Sequence, residues 1–303
     1  MEAQMRVGDF NVTSYKFDKL DKKTLNRFLG KTTTFVLPKD YSTSAFKSIL
    51  DDVWNVTPFV IVTEDDFDDS TIKVDDALAQ FTNIGLTRIT SGGMHVDYSF
   101  HIIDFHVVDE LKKKPKLGDM KWYSSKIASI YFTADISIRQ QAGAFSSGFY
   151  GDLLNFKLGY LKNYLQFVNN SIKANVSSNL YDDFSKPELA NLKNKTLYID
   201  KNFLYGYNAW SVKEKEAPEI EELTADFSFD YKVVEYDEIE SMILNKDSDE
   251  FYYLVYNQIN SDKIITVING KTGDIVYQEH TMVSYNLKSK DFKELDKQIK
   301  KIK

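Results

Sequence analysis

The chain reads as two imperfect copies of one βαβ-type module, and that repeat narrows the folds open to it. Lys-Thr-Thr-Thr-Phe-Val-Leu at 31–37 aligns with Lys-Thr-Leu-Tyr-Ile at 195–199. Phe-Val-Ile-Val-Thr-Glu-Asp-Asp-Phe at 59–67 aligns with Tyr-Lys-Val-Val-Glu-Tyr-Asp-Glu-Ile at 231–239, at one constant offset. In each, a short apolar run ends in acidic residues, as a buried strand does where it passes into the start of a helix. The pattern predicts an α/β (α+β) chain: two related βαβ-type modules with mixed sheets, joined by a long buried helix. A repeat speaks to architecture, and chemistry has to be argued from a site.

At 303 residues the chain has room for about two domains. A chain of this length buries about three quarters of its unfolded surface and needs no covalent staple. It has no Cys, which excludes a disulfide scaffold, Cys-ligated zinc or iron–sulfur sites and a thiol nucleophile. The net charge of -7 argues against nucleic acid as a principal partner, because phosphate binding needs a basic face. No apolar run reaches the 18 or so residues of a membrane-spanning helix. Residues 1–11 lack the apolar segment of a signal peptide.

Five segments follow from patterning. Residues 1–30 read as a polar N-terminal arm with a helix near 21–29, and 31–140 as the first module. Within it Phe46, Ile49, Leu50 and Val53 recur at helical spacing behind a Ser-Thr-Ser cap. Residues 59–62 read as a strand covered on both faces. A hairpin of 94–108 and 122–138 is expected, around a solvated lysine-rich loop at 112–119. Residues 141–194 form a helical connector. In it Leu154, Leu158, Leu161, Leu165, Val168 and Ile172 make one apolar strip, with Phe156, Tyr160, Tyr164 and Phe167 beside it, which predicts a helix buried between two layers. The second module spans 195–285, with a hairpin turn at Asn269-Gly270. Residues 286–303 are a C-terminal amphipathic helix with Phe292, Leu295, Ile299 and Ile302 on one side.

The chemistry-bearing residues are sparse. His95, His101 and His106 lie in one strand with Asp97 and Asp104 between them, the donor types that suit zinc or iron. Alternation puts His95, Asp97 and His101 on one face and Asp104 and His106 on the other, and His95 and His101 some 20 Å apart. Half-exposed strand histidines are therefore the favoured reading, and no metal ligand is assigned. The acidic run 64–69 lacks the spacing and the glycine of a calcium loop and suits a helix start instead. Asp51 and Asp52 diverge as neighbours on a helix. No nucleophile elbow and no phosphate- or dinucleotide-binding motif is present, so no catalytic residue and no cofactor is nominated. Among 19 Tyr and 21 Phe most fall at core positions, but Phe149, Tyr150, Tyr205, Tyr207 and Trp210 sit in irregular segments. An aromatic there either fills a gap in the core or faces a partner, so these five are the candidate binding residues.

The segment 31–37, the helix after it, and Trp54…Pro58-Phe59-Val60-Ile61-Val62 followed by acids resemble uncharacterised envelope proteins of the Bacteroidetes, in which Lys-Thr-Leu-Tyr-Ile recurs in the second half. More distantly, the module is similar to the α/β domains of the TolB N-terminal and curli-secretion lipoprotein groups. The likeness covers about 31–67 and 195–240 and includes no catalytic motif. It implies an exported, non-enzymatic protein, periplasmic, outer-membrane-associated or secreted, and supplies no functional residue; a lipoprotein anchor would need a Cys, which this chain lacks. The expected function is a non-catalytic binding or scaffold protein of the cell envelope, with a protein or envelope component as partner. The alternative is a metal-assisted hydrolase using the strand from His95 to His106.

Overall fold

Strand for strand, the two halves build six-stranded sheets of the same order and the same directions. A computed structural model describes residues 5–11, 16–39, 41–89, 93, 95–114, 120–134, 153–208, 211 and 213–303. Its first half contains β1 (Met5–Val7), the hairpin β2 (Asp9–Asn11) and β3 (Lys16–Asp18), α1 (Lys22–Leu29), β4 (Thr33–Leu37), α2 (Thr43–Val53), β5 (Phe59–Thr63), β6 (Ala77–Ile89), β7 (His95–Leu111) and β8 (Trp122–Phe132). Then come α3 (Leu158–Ala174), β9 (Phe184–Ser185), β10 (Leu197–Asp200), the hairpin β11 (Gly206–Asn208) and β12 (Lys213–Lys215), α4 (Ile220–Leu223), β13 (Tyr231–Val234), α5 (Tyr236–Leu244), β14 (Tyr252–Ile259), β15 (Asp262–Asn269), β16 (Ile275–Thr281) and α6 (Ser289–Lys301).

The first sheet runs β1-β8-β7-β6-β4-β5 and the second β9-β16-β15-β14-β10-β13. In each, a central strand (β4 or β10) has parallel neighbours on both sides, and the third strand of that trio opens an antiparallel meander. The meander's last strand pairs antiparallel with a short strand from the start of the half. The segments that align in sequence, 31–37 with 195–199 and 59–63 with 231–235, take equivalent places.

The halves differ in their helices. Between β4 and β5 the chain makes α2, capped by the Ser42 hydroxyl on the Ala45 N–H. Between β10 and β13 it makes a 3₁₀ turn, a hairpin and one turn of α4. After β13 the acids Asp237 and Glu238 occupy the first turn of α5, as the macrodipole favours. After β5 the corresponding acids start no α-helix. Asp66 accepts from the Thr63 hydroxyl and Asp68 from the Ser70 N–H, so these side chains hold the backbone in turns.

Two other expectations are corrected. Residues 5–7 are a buried strand of the first sheet and not part of a polar arm, because Met5 and Val7 enter the core while Arg6 lies on the opposite face against Tyr131. Residues 59–62 form an edge strand, not one covered on both faces, and Val60 is 48% exposed.

The helix α3 packs against α2 of the first half and α5 of the second, and Tyr160, Leu161, Tyr164, Leu165 and Val168 have no exposed surface. Asn175 ends it in the left-handed conformation, φ 52°. Lys162 reaches the Asp52 carboxylate on one side (2.8 Å) and the Ile243 carbonyl on the other (3.0 Å). Asn169 accepts from the Asn55 and Val56 N–H groups just beyond α2. The sheets also touch directly. Asn257 of β14 donates to the Tyr131 carbonyl of β8, and the Gln258 N–H donates to Thr133. One apolar core therefore runs through both halves. Leu161→Ala and Leu165→Ala should each cost about 2–5 kcal/mol. Urea unfolding followed by far-ultraviolet circular dichroism and by tryptophan fluorescence should give one coincident transition; two transitions, or losses under about 1 kcal/mol at both positions, would show that α3 is peripheral.

Candidate functional site

In sheets with parallel strands, ligands and reactive side chains gather beyond the carboxyl ends of those strands. Here β4 and β10 are the central parallel strands, and both lead towards the N-terminal turn of α3. The strand β10 ends in Asp200, which has no exposed surface. Its Oδ1 accepts from the N–H and side-chain amide of Asn202, both 2.9 Å, which bends the chain into the 3₁₀ turn Lys201–Phe203. Its Oδ2 accepts from the Tyr160 hydroxyl at 2.7 Å. Burial pushes the Asp200 carboxyl up from its ordinary value, against the pull of the bonds from Tyr160 and Asn202.

Tyr160 stands in a cage of rings: Tyr236 edge-on at 4.8 Å, and Tyr253, Tyr164 and Phe203 stacked at 5.5–6.1 Å. The Tyr236 hydroxyl donates to Glu240 Oε1, and the Gly159 N–H, in the first turn of α3, bonds both groups. Gly159 lets α5 come close, since a Cβ there would lie 3.1 Å from the Glu240 Cα and 3.2 Å from the Tyr236 hydroxyl and push α5 away by a few tenths of an ångström. Glu240 thus places a carboxylate at the positive end of α3, whose N-cap residue Lys157 makes no side-chain cap. Tyr41, beyond β4, packs on Phe156, and burial together with the nearby Glu240 charge pushes its phenol up. Burial likewise raises Tyr160, Tyr236 and Tyr253. The arrangement is a closed set of phenol–carboxylate bonds in an apolar cage, suited to fixing elements in place. Tyr160→Phe should cost about 1–3 kcal/mol, because it strips a donor from a buried carboxylate. Thermal unfolding of that variant measures it, and a loss within about 0.5 kcal/mol would mean that water replaces the hydroxyl.

Of the five candidate aromatics, Phe149, Tyr150 and Trp210 lie outside the described residues. Tyr205 is half-buried, edge-on to Tyr256 at 5.7 Å. Tyr207 is buried in β11, its N–H and carbonyl both bonded to the Asn286 side chain and its ring against Tyr285. The Asn286 N–H donates to the Tyr256 hydroxyl, so Tyr205 and Tyr207 come together over one end of the second sheet.

His101 and His106 of β7 lie on opposite faces, as alternation requires, but they are buried and not half-exposed. His101 is 9% exposed and bonds Asn83, its register partner on β6. His106 lies under Trp122 on the other face, beside the ion pair of Asp104 and Lys126. Central placement in a sheet covered on both faces is the reason. The side chains of His95 and Asp97 lie outside the described ones. Among the described residues no group of three or more His, Asp or Glu could hold one ion, and no helix is long and apolar enough to cross a membrane. An open groove between 225–228 and α6 carries lysines, of which Lys293, Lys297 and Lys300 are each paired with a carboxylate.

Burial draws the His101 imidazole down from 6.5 to about 4. Below about pH 6.5 the unfolded chain takes up a proton that the folded chain refuses until about pH 4, so stability falls as pH drops through that window. At about 1.4 kcal/mol per unit the loss reaches about 3 kcal/mol. Denaturant titrations at about pH 7 and pH 4 should show His101→Gln losing less stability on acidification than the natural chain. Equal losses would mean that His101 is solvated in the fold.

Asp200, Tyr160, Tyr236 and Glu240 escape sequence reasoning because each has a sufficient local role as a strand end, a core aromatic or a helix acid. The one readable signal is an Asp directly after the apolar Leu-Tyr-Ile of β10. Compared with family models, curated proteins and solved structures, the chain gives no match.

Proposed function

We propose that this protein is a non-catalytic binding or scaffold protein of the cell envelope, periplasmic, outer-membrane-associated or secreted, built from two related α/β modules that present a rigid body to a protein or envelope component. The observation that carries this reading is the state of the acids beyond the parallel strands. Both oxygens of Asp200 and Oε1 of Glu240 are engaged by the chain's own Tyr160, Asn202, Tyr236 and Gly159, in bonds that hold α3 to β10 and α5. An acid–base pair has to reach a proton on a substrate, whereas these groups reach each other. The shared strand order supports the relation between modules, and the resemblance over 31–67 and 195–240 supports export.

Fractionation of native cells, with detection of the untagged chain, should recover it from the envelope or the medium; recovery from the cytosol alone would overturn the location. Purified protein supplied with zinc or manganese should not hydrolyse ester, phosphoester or peptide reporters. Turnover that His101→Ala abolishes would favour the hydrolase reading instead.

A further inference from the structure

Among the described residues, the pair of Lys263 on β15 and Asp291 on α6 is set apart from the other ion pairs by its surroundings. The two side chains are 1% and 2% exposed, and Nζ lies 2.5 Å from Oδ2. The other inward pairs have both carboxylate oxygens engaged. Asp104 takes Lys126 on one oxygen and the Ser129 hydroxyl on the other, and Asp52 takes Lys162 and Lys246. In Asp291 the second oxygen, Oδ1, is buried and has no hydrogen-bond partner among the described residues.

The contacts hold the amine against the carboxyl carbon. Lys263 also donates to the Asn286 carbonyl at 3.2 Å, and the Lys288 N–H donates to Asp291 Oδ2 at 2.8 Å, so neither group can turn away. A carbon–oxygen bond of about 1.2 Å puts Nζ within about 3.7 Å of Asp291 Cγ. Reacting atoms poised for attack stand about 3–3.5 Å apart. Burial draws the Lys263 ammonium down, towards the free amine that is the nucleophile.

A third group faces the pair. Thr281 of β16 lies opposite Lys263 and Glu279 opposite Ile265, so alternation puts Glu279 on the face of the sheet where Lys263 meets Asp291. The charges of Asp291 and Lys263 both act on Glu279, and the Tyr277 hydroxyl holds its Oε2 at 3.0 Å. Burial pushes the Glu279 carboxyl up, which suits it to carrying a proton near neutral pH.

We propose that Lys263 and Asp291 join in an amide bond, made by the folded chain on itself with Glu279 as the proton relay. Transfer of one proton from the ammonium to the carboxylate turns the ion pair into an amine and a carboxylic acid. Nζ adds to Cγ, and Oδ2, bonded by the Lys288 N–H, takes the negative charge of the tetrahedral intermediate. The Glu279 carboxylate accepts a proton from the nitrogen, directly or through one water, and passes it to the hydroxyl at Oδ1. That hydroxyl leaves as water, the carbonyl at Oδ2 reforms, and Glu279 is a carboxylate again. Each chain reacts once and turns over no substrate, so the bond agrees with a non-catalytic protein. The ion pair sets α6 in place as the chain folds, and the amide makes that position permanent in a chain with no Cys to form a disulfide.

Intact-mass spectrometry of the full chain tests it. The natural chain should be one water lighter than its sequence, and a protease digest should contain a branched peptide joining the segment of Lys263 to that of Asp291. Lys263→Arg, which keeps the charge but offers no amine, should have the full sequence mass and melt at a lower temperature. Glu279→Gln, at a partly exposed site, should keep the natural circular dichroism spectrum and lose water at least about a hundredfold more slowly. A succinimide at an aspartate elsewhere loses the same mass, but it would survive Lys263→Arg and leave no branched peptide. A natural chain that keeps its full mass after prolonged incubation at neutral pH, water loss that persists in Lys263→Arg, or an undiminished rate in Glu279→Gln would each overturn the proposal.

Discussion

A 17-residue helix with apolar side chains around most of its circumference has to be enclosed, and in this chain neither half can enclose it alone. The first half contributes α2 and the second contributes α5. Burial of that much aliphatic and aromatic surface supplies a large free energy, but it is indifferent to rotation or sliding of the helix. The polar groups along α3 remove that freedom. Lys162 has to find an anion and a carbonyl away from water, and Asp52 and the Ile243 carbonyl stand on opposite sides of it. The open N-terminal turn of α3 meets Glu240 and Tyr236, and Asn169 meets the backbone just past α2. Each of these groups would be costly to bury unsatisfied, and one placement of the helix satisfies them together.

The two halves complement each other through what each lacks. Their sheets share a strand order, but the first half places its long helix in the β4–β5 connection and makes only a 3₁₀ turn after its edge strand. The second half has a hairpin and a single helical turn in the first of those connections and its helix after the edge strand. With these helices in different connections of the two halves, α2 and α5 are the ones that flank α3. The same difference explains the acidic runs. In the second half the acids have a helix start to stabilise, whereas in the first they close turns around Thr63 and Ser70.

Much of this architecture is legible in the sequence where one period dominates. The stripe of Phe46, Ile49, Leu50 and Val53 gives α2, alternate spacings of three and four give α3, and Asn269-Gly270 marks the turn between β15 and β16. The strand β6 is not legible, because Ala77–Ile89 mixes small, polar and apolar residues with no sustained alternation, and its position comes from pairing with β4 and β7. The short strand β1 has the same difficulty, three residues placed by a partner more than a hundred positions away. Apolar content alone places β5 in a sheet interior, and only the strand order shows it to be an edge. At the candidate site, alternation separates His101 from His106, but their burial depends on what covers each face. The bond between Tyr160 and Asp200 joins residues 40 apart, and neither departs from an ordinary local role.

The same division between energy and placement governs the end of the chain. Helix α6 offers Phe292, Leu295 and Ile299 to the core, which secures its attachment without choosing its register. Lys263, 1% exposed on β15, and Asp291, 2% exposed in the first turn of α6, form an ion pair at 2.5 Å. Lys263 also donates to the Asn286 carbonyl, and Asp291 accepts from the Lys288 N–H at the helix start. Burial draws the Lys263 ammonium down and Asp291 opposes that, so the pair contributes little net stability over an apolar replacement of the same shape. What it does supply is a single angular position for α6, because a displaced helix would leave two buried charges apart. Read with α3, this gives a consistent physical logic: aromatic and aliphatic burial makes the chain compact, and a few fully enclosed polar bonds decide which compact arrangement forms.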